Sequence, residues 1–142
     1  MTALEKSKCT NMADEIGDIL ALTPSLYKAL CDTPREIFAP VTRHAYSLDA
    51  QPIGGNQWIS SPLTVAKMTL ALEAEDIDNA LEIGCGSGYQ AAILSHLAHR
   101  VFSVERIEKL EEERTRVVGD SNAGSDLDRG AIIIGRELTW HP

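Results

Sequence analysis

The chain has 142 residues, 44% of them hydrophobic, and a formal net charge of −8 at pH 7. That length allows at most one modest domain, and that apolar share is enough for a core and excludes wholesale disorder. The acidic balance, with no Lys/Arg cluster to override it, argues against a nucleic acid partner, and no apolar stretch approaches the ~20 residues of a membrane span.

Residues 1–11 are polar and read as a frayed end; Glu5, Lys6 and Lys8 have no apolar signal core behind them. Met12, Ile16, Ile19 and Leu20 then recur at helical spacing, with Asn11 as the N-cap. Pro24 fits the first turn of a second helix over residues 25–31, with Leu26, Ala29 and Leu30 on one face. Thr33-Pro34 opens a short third helix over residues 35–38, stopped by Pro40. This helical prelude is too small to fold by itself.

Residues 41–61 read as mostly irregular. The stretch from Gln51 to Pro62 is rich in turn formers yet carries Trp58 and Ile59, which suits a functional loop as well as a connector over a sheet edge. Pro62 opens the next helix with Ser61 as N-cap, and Val65, Met68, Thr69 and Leu72 form its inner stripe. Glu73, Glu75, Asp76 and Asp78 follow as an acidic, solvated turn. Cys9, Cys31 and Cys85 are odd in number and far apart, which suits a reducing cytosol rather than a disulfide framework or a metal site.

Residues 79–107 organise the rest. Ala80, Leu81 and Ile83 read as a mostly buried strand, and Gly84, Gly86 and Gly88 follow at once. Ala91, Ala92, Leu94, Ser95 and Ala98 run at helical spacing, residues 101–104 form a second apolar strand, and Glu105 closes it. Glu105 lies 21 positions past the first glycine, near the ~20 expected of a carboxylate that grips ribose hydroxyls in a nucleotide-binding βαβ unit. A dinucleotide fingerprint needs glycine or alanine where this chain has Tyr89. Gly-x-Gly-x-Gly is instead the pattern of class I S-adenosylmethionine methyltransferases, whose cofactor has no pyrophosphate for the turn to bind. His96 and His99 stand three apart on one helix, spacing that permits metal ligation but suits surface histidines better, as no third ligand is evident.

After Ile107 the pattern weakens. Residues 108–116 are charged and helical, Val117 to Asp120 suit a short strand and turn, residues 121–130 a loop, and residues 131–134 a short strand.

Several segments together resemble the protein-L-isoaspartate O-methyltransferase family. Thr33-Pro34-Arg35-Glu36-Ile37-Phe38 is similar to its Val-Pro-Arg-Glu-x-Phe segment, and Ala45-Tyr46 followed by Pro52-Ile53-Gly54 to its Ala-Tyr and Pro-Ile-Gly. Gln57-Trp58-Ile59-Ser60-Ser61-Pro62 resembles its Gln-Thr-Ile-Ser-x-Pro loop, the specific part of the likeness. The run from Leu81 to Ala92 resembles its cofactor motif, and Val104-Glu105-Arg106-Ile107 its acid-bearing strand end. Trp58 and Asn56 depart from its usual threonine and glycine. The likeness runs from about residue 12 to 110. Beyond that, Val118-Gly119-Asp120 echoes the family's third-strand turn too soon after Glu105, and the expectation is a truncated, frameshifted or internally deleted member with an open-edged sheet.

The resemblance implies an α/β fold, a partial Rossmann-like class I methyltransferase sheet behind an N-terminal helical segment. It implies a single domain over 1–142: helical prelude 1–40, active-site loop region 41–61, cofactor-binding core 62–110, divergent segment 111–142. It also implies transfer of a methyl from S-adenosyl-L-methionine to the α-carboxylate of L-isoaspartyl residues in damaged peptides and proteins, by a cytoplasmic monomer acting on neither nucleic acid nor membrane. Ser60 matches the active-site serine; Glu82, Gly84, Cys85, Gly86, Gly88, Glu105 and Arg106 match the cofactor-binding positions, and no metal is implied. Read without the resemblance, Ser60 suits a helix cap better than a catalytic role, the spacing of Glu105 still favours the ribose over a solvated strand-end acid, and Cys85 is a small core residue. A methyltransferase for another small acid, and an inactive or weakly cofactor-binding fragment, are the competing functions.

Overall fold

The computed structural model describes residues 1–53, 55–105 and 131–135, the last five as backbone only. The first helix, α1 (Ala3–Gly17), starts well before Asn11, which lies inside it. The Thr2 hydroxyl accepts the Glu5 N–H at 3.2 Å while the Glu5 carboxylate accepts the Thr2 N–H, a reciprocal cap that nucleates the helix. The expectation of a frayed end capped at Asn11 is therefore corrected: the local cap and the burial of Cys9 outweigh polar composition. Ile19, expected on the inner face, lies past the helix and is 56% exposed.

The second helix, α2 (Pro24–Asp32), has Pro24 in its first turn and Thr23 as its cap. It packs against α1, burying Leu26, Ala29 and Leu30 against Met12 and Ile16. Each such side chain contributes roughly 1.5–3 kcal/mol on burial. A single 3-10 turn, Arg35–Ile37, comes next, and a second, Thr42–His44, after it.

Residues 41–61 are more ordered than their composition suggests. Strands β1 (Gln51–Ile53) and β2 (Gln57–Ile59) pair antiparallel, with Gln51 opposite Ile59. The connection puts Gly55 at φ 66° and Asn56 at φ 56°. Asparagine is the residue after glycine that tolerates this left-handed region, which explains its standing where the resembling family has glycine.

Helix α3 (Pro62–Leu72) is capped by the Ser61 hydroxyl, which accepts the Thr64 N–H at 3.0 Å. Val65 and Thr69 are buried as expected, but Met68 and Leu72 are 58% and 52% exposed. Strand β3 (Asn79–Ile83), helix α4 (Tyr89–Leu94) and strand β4 (Arg100–Val104) form a βαβ unit, and β5 (Ala131–Gly135) extends a parallel sheet in the order β3-β4-β5. Register pairs Ala80 with Val101 and Val101 with Ile132. A parallel neighbour needs a connection of about a dozen residues or more, which residues 105–130 supply in length. The third strand thus falls on the apolar run read from residue 131, while the turn expected at Val118-Gly119-Asp120 lies outside the described residues, as do residues 108–116.

One face of the sheet is covered. Ala80 and Val101 share a core with Ile93 and Leu94 of α4 and with α1 and α2. The other face is not: Leu81 is 50% and Ile83 73% exposed. This corrects the expectation of a mostly buried β3. Parallel strands are apolar on both faces because helices usually cover both, and among the described residues that second face stays open.

Candidate active site

A cleft of about 320 Å³ opens between α3, the C-terminal end of β3 and the turn that follows, with Trp58 and Ser60 at its rim. The C-terminal end of the strands is where open α/β sheets place ligands, and this volume sits at the small end of the range for ligand pockets.

The turn is built by conformations that side chains resist. Gly84, Gly86 and Gly88 have φ 78°, 52° and 86°. At Gly86 a Cβ would stand 3.3 Å from the Ile53 Cδ1, so that glycine serves both the left-handed backbone and the close approach of β1. At Gly84 a Cβ would meet nothing within 4 Å, so a ligand has open space against the bare backbone there. The Gly84 N–H donates to the Val104 carbonyl at 2.7 Å, tying the turn to the end of β4.

Glu105, next along, is 4% exposed, and its Oε2 accepts the Gly86 N–H at 2.9 Å. The acid expected from spacing therefore reaches the glycine turn. Glu82 lines the cleft and accepts the Ser103 hydroxyl at 2.6 Å from its register partner on β4. Cys85 lines the cleft and is buried. Arg106 lies outside the described residues.

Ser60 is exposed and lines the cleft. Its neighbour Ser61 caps α3, so the Ser60 hydroxyl is not needed for that task. The Ser60 carbonyl accepts from an Arg35 NH2 group at 2.6 Å. Arg35 is fully buried, and its guanidinium lies 4.4 Å from the centroid of the Tyr89 ring. Burial lowers the Arg35 pKa, partly offset by Tyr89, and burial raises the Tyr89 pKa. Phe38 meets the same ring edge-on at 5.5 Å.

The two histidines go separate ways. His96 Nε2 lies 3.1 Å from the Thr33 hydroxyl, and His99 lies 3.7 Å from Asp76. Among the described residues no group of three or more metal-type side chains gathers.

These features fit S-adenosylmethionine at a glycine turn: open backbone at Gly84, and a buried carboxylate at Gly86. A profile of the protein-L-isoaspartate(D-aspartate) O-methyltransferase family matches residues 9–134.

The chain belongs to this family.

The match carries the family pattern past the point, near residue 110, where motif resemblance alone fades. A protein-L-isoaspartate O-methyltransferase of Helicobacter pylori is 52% identical over 118 residues, covering 81% of this chain and 55% of that protein. One of Proteus mirabilis is 48% identical over 93 residues, covering 64% and 45%. The chain thus spans about half the length of the curated relatives it matches. Among solved structures, a protein-L-isoaspartate O-methyltransferase superposes with a TM-score of 0.73 at 22% identity, over 92% of this chain and 41% of its own. A Plasmodium falciparum chain described as a β-aspartate methyltransferase, in complex with S-adenosyl-L-homocysteine, gives 0.72 at 17% identity, over 94% and 62%. At these identities the structural likeness speaks to fold: a partial Rossmann-like α/β sheet of the class I methyltransferase kind.

Sequence reasoning passed over two features of this family member's site. Arg35 carried no signal of burial, since arginine is almost never fully buried. Met68, Leu72, Leu81 and Ile83 were assigned to the core; they stand half exposed or more in the apolar wall of the cleft, beside the buried Ile59, Val65, Tyr89 and Leu94.

Proposed function

We propose that this chain carries the methyl-transfer site of a protein-L-isoaspartate O-methyltransferase, acting on the α-carboxylate of L-isoaspartyl residues in damaged proteins. The observation that carries the reading is that Ser60 and the Gly84–Gly86 backbone line one cleft, with Glu105 bonded to the turn from behind. S-adenosyl-L-methionine would supply a methyl activated on a sulfonium. Gly84 and Gly86 would pass its amino acid portion close to backbone, and Glu105 would accept from its ribose hydroxyls. Glu82 and Cys85 would border it, and Arg106 belongs to the same motif.

A carboxylate is already nucleophilic, so the protein's task is alignment and exclusion of water rather than base catalysis. The Ser60 hydroxyl would donate to one oxygen of the substrate carboxylate and leave the other aimed into the cleft. Met68, Leu72 and Leu81 would keep water from that wall. A monomeric cytoplasmic protein of one domain goes with this reading, and three buried cysteines suit a reducing compartment.

The experiment pairs an isoaspartyl peptide with its aspartyl twin and measures methyl incorporation from labelled cofactor. Transfer to the first and not the second is expected. Equal or absent transfer, in protein that melts higher with S-adenosylhomocysteine, would assign the chain to cofactor binding without this substrate.

A further inference from the structure

Arg35 is the one fully buried charged side chain among the described residues, and among them no carboxylate pairs with it. One NH2 group donates to the Ser60 carbonyl at 2.6 Å; the guanidinium carbon lies over the Tyr89 ring, 4.4 Å from its centroid; its Nε and its other NH2 group are buried with no hydrogen-bond partner. A buried cation with two idle donors is a poor way to fill a core. Replacement of such ions by apolar residues of like volume is often neutral or stabilising. What the arginine does provide is a rigid connection. Ser60 follows directly on the hairpin that rims the cleft, and Tyr89 is the first residue of α4, directly after the glycine turn. A planar fork stacks on a ring and donates in its own plane at the same time, which neither methionine nor lysine does.

We infer that Arg35 is a positioning residue: it fixes the Ser60 peptide plane against the glycine-turn helix, and so sets where the Ser60 hydroxyl presents a substrate carboxylate relative to the cofactor. This rests on the reading of Ser60 and the glycine turn as one methyl-transfer site. Local strain and unsatisfied polar atoms are tolerated where geometry serves function, and a misplacement near 1 Å costs about 100-fold in rate.

The test is Arg35→Met in the 142-residue chain, with three readouts. Amide hydrogen exchange over residues 57–61 should speed at least tenfold while that of α1 and α2 stays as it was. Affinity for S-adenosylhomocysteine by calorimetry should stay within about threefold. Methyl transfer to the isoaspartyl peptide should fall about 100-fold. Unchanged exchange over 57–61, or an equal rise across the molecule, overturns the positioning role. Should the methionine variant fail to fold, Arg35→Lys keeps the cation and stem but loses the fork, and the same local pattern is expected of it. Unfolding of both variants would make Arg35 part of the core and overturn the inference. If the unaltered chain does not methylate the peptide, the proposed function falls, while the exchange measurement still reads the hold of Arg35 on Ser60.

Discussion

At the scale of single residues, Glu105 has two separable tasks. Its bond to the Gly86 N–H holds the turn, and its proposed grip on a ribose needs further acceptor capacity and charge. Glu105→Gln keeps an oxygen for Gly86 and removes the charge. Hydrogen bonds to a charged group contribute about 1.5–3 kcal/mol each, so affinity for S-adenosylhomocysteine should drop roughly 10- to 100-fold, and the thermal midpoint without ligand should fall as well because the Gly86 bond loses its charge. Calorimetry and a melt of the same protein check this; a lowered midpoint with unchanged affinity would leave Glu105 a purely structural acid. Ser60→Ala separates in the other direction. The cap of α3 belongs to Ser61 and the bond from Arg35 goes to backbone, so the substitution removes a hydroxyl and nothing else the structure uses. Methyl transfer should fall by 10-fold or more with cofactor affinity kept. Parallel loss of both would mean that Ser60 packs rather than orients.

At the scale of elements, α2 and α4 are tied at their ends. The Thr33 hydroxyl gives its proton to the Ala29 carbonyl at 2.8 Å, so toward His96 it offers a lone pair, and the neutral imidazole donates from Nε2. Desolvation lowers the His96 pKa, with Asp32 opposing and Lys28 assisting as smaller influences. Because the unfolded imidazole, with a pKa near about 6.5, takes up a proton that the fold resists, stability is full above that pH and declines as pH falls below it. The slope is modest, since part of the residue faces solvent. Urea melts between about pH 5 and 7.5 should show this decline in the native chain and a flatter limb in His96→Gln; superimposable limbs would remove His96 as the cause. The elements themselves were legible wherever their signal was local. Thr23-Pro24 and Ser61-Pro62 are cap-and-first-turn pairs that need no tertiary context, and both helices start there. The hairpin was not legible, because its three-residue strands include Pro52 and hang on a left-handed Asn56. The front half of α1 hid behind polar composition, although Thr2 and Glu5 stand at capping-box spacing.

At the scale of the molecule, the glycine turn, the acid and the serine loop were readable because each is a short motif, but burial was not, because it depends on what lies across the sheet. Leu81, Ile83, Met68 and Leu72 have core chemistry, and each is at least half exposed on one side, with Trp58 63% exposed beside them. An apolar surface of this kind marks a ligand wall or a site of association. Should it be the wall of the cofactor cleft, ligand and an apolar dye will compete for it. The chain is therefore expected to light up anilinonaphthalene sulfonate in its native state, and S-adenosylhomocysteine should dim that signal along the same isotherm that raises the melting midpoint. At 100 times its dissociation constant a ligand adds about 2.7 kcal/mol, which for a chain of this length is a rise of roughly 10 °C. A midpoint that climbs while the dye signal holds would put the ligand away from Leu81 and Ile83, and would leave that face as a surface for association.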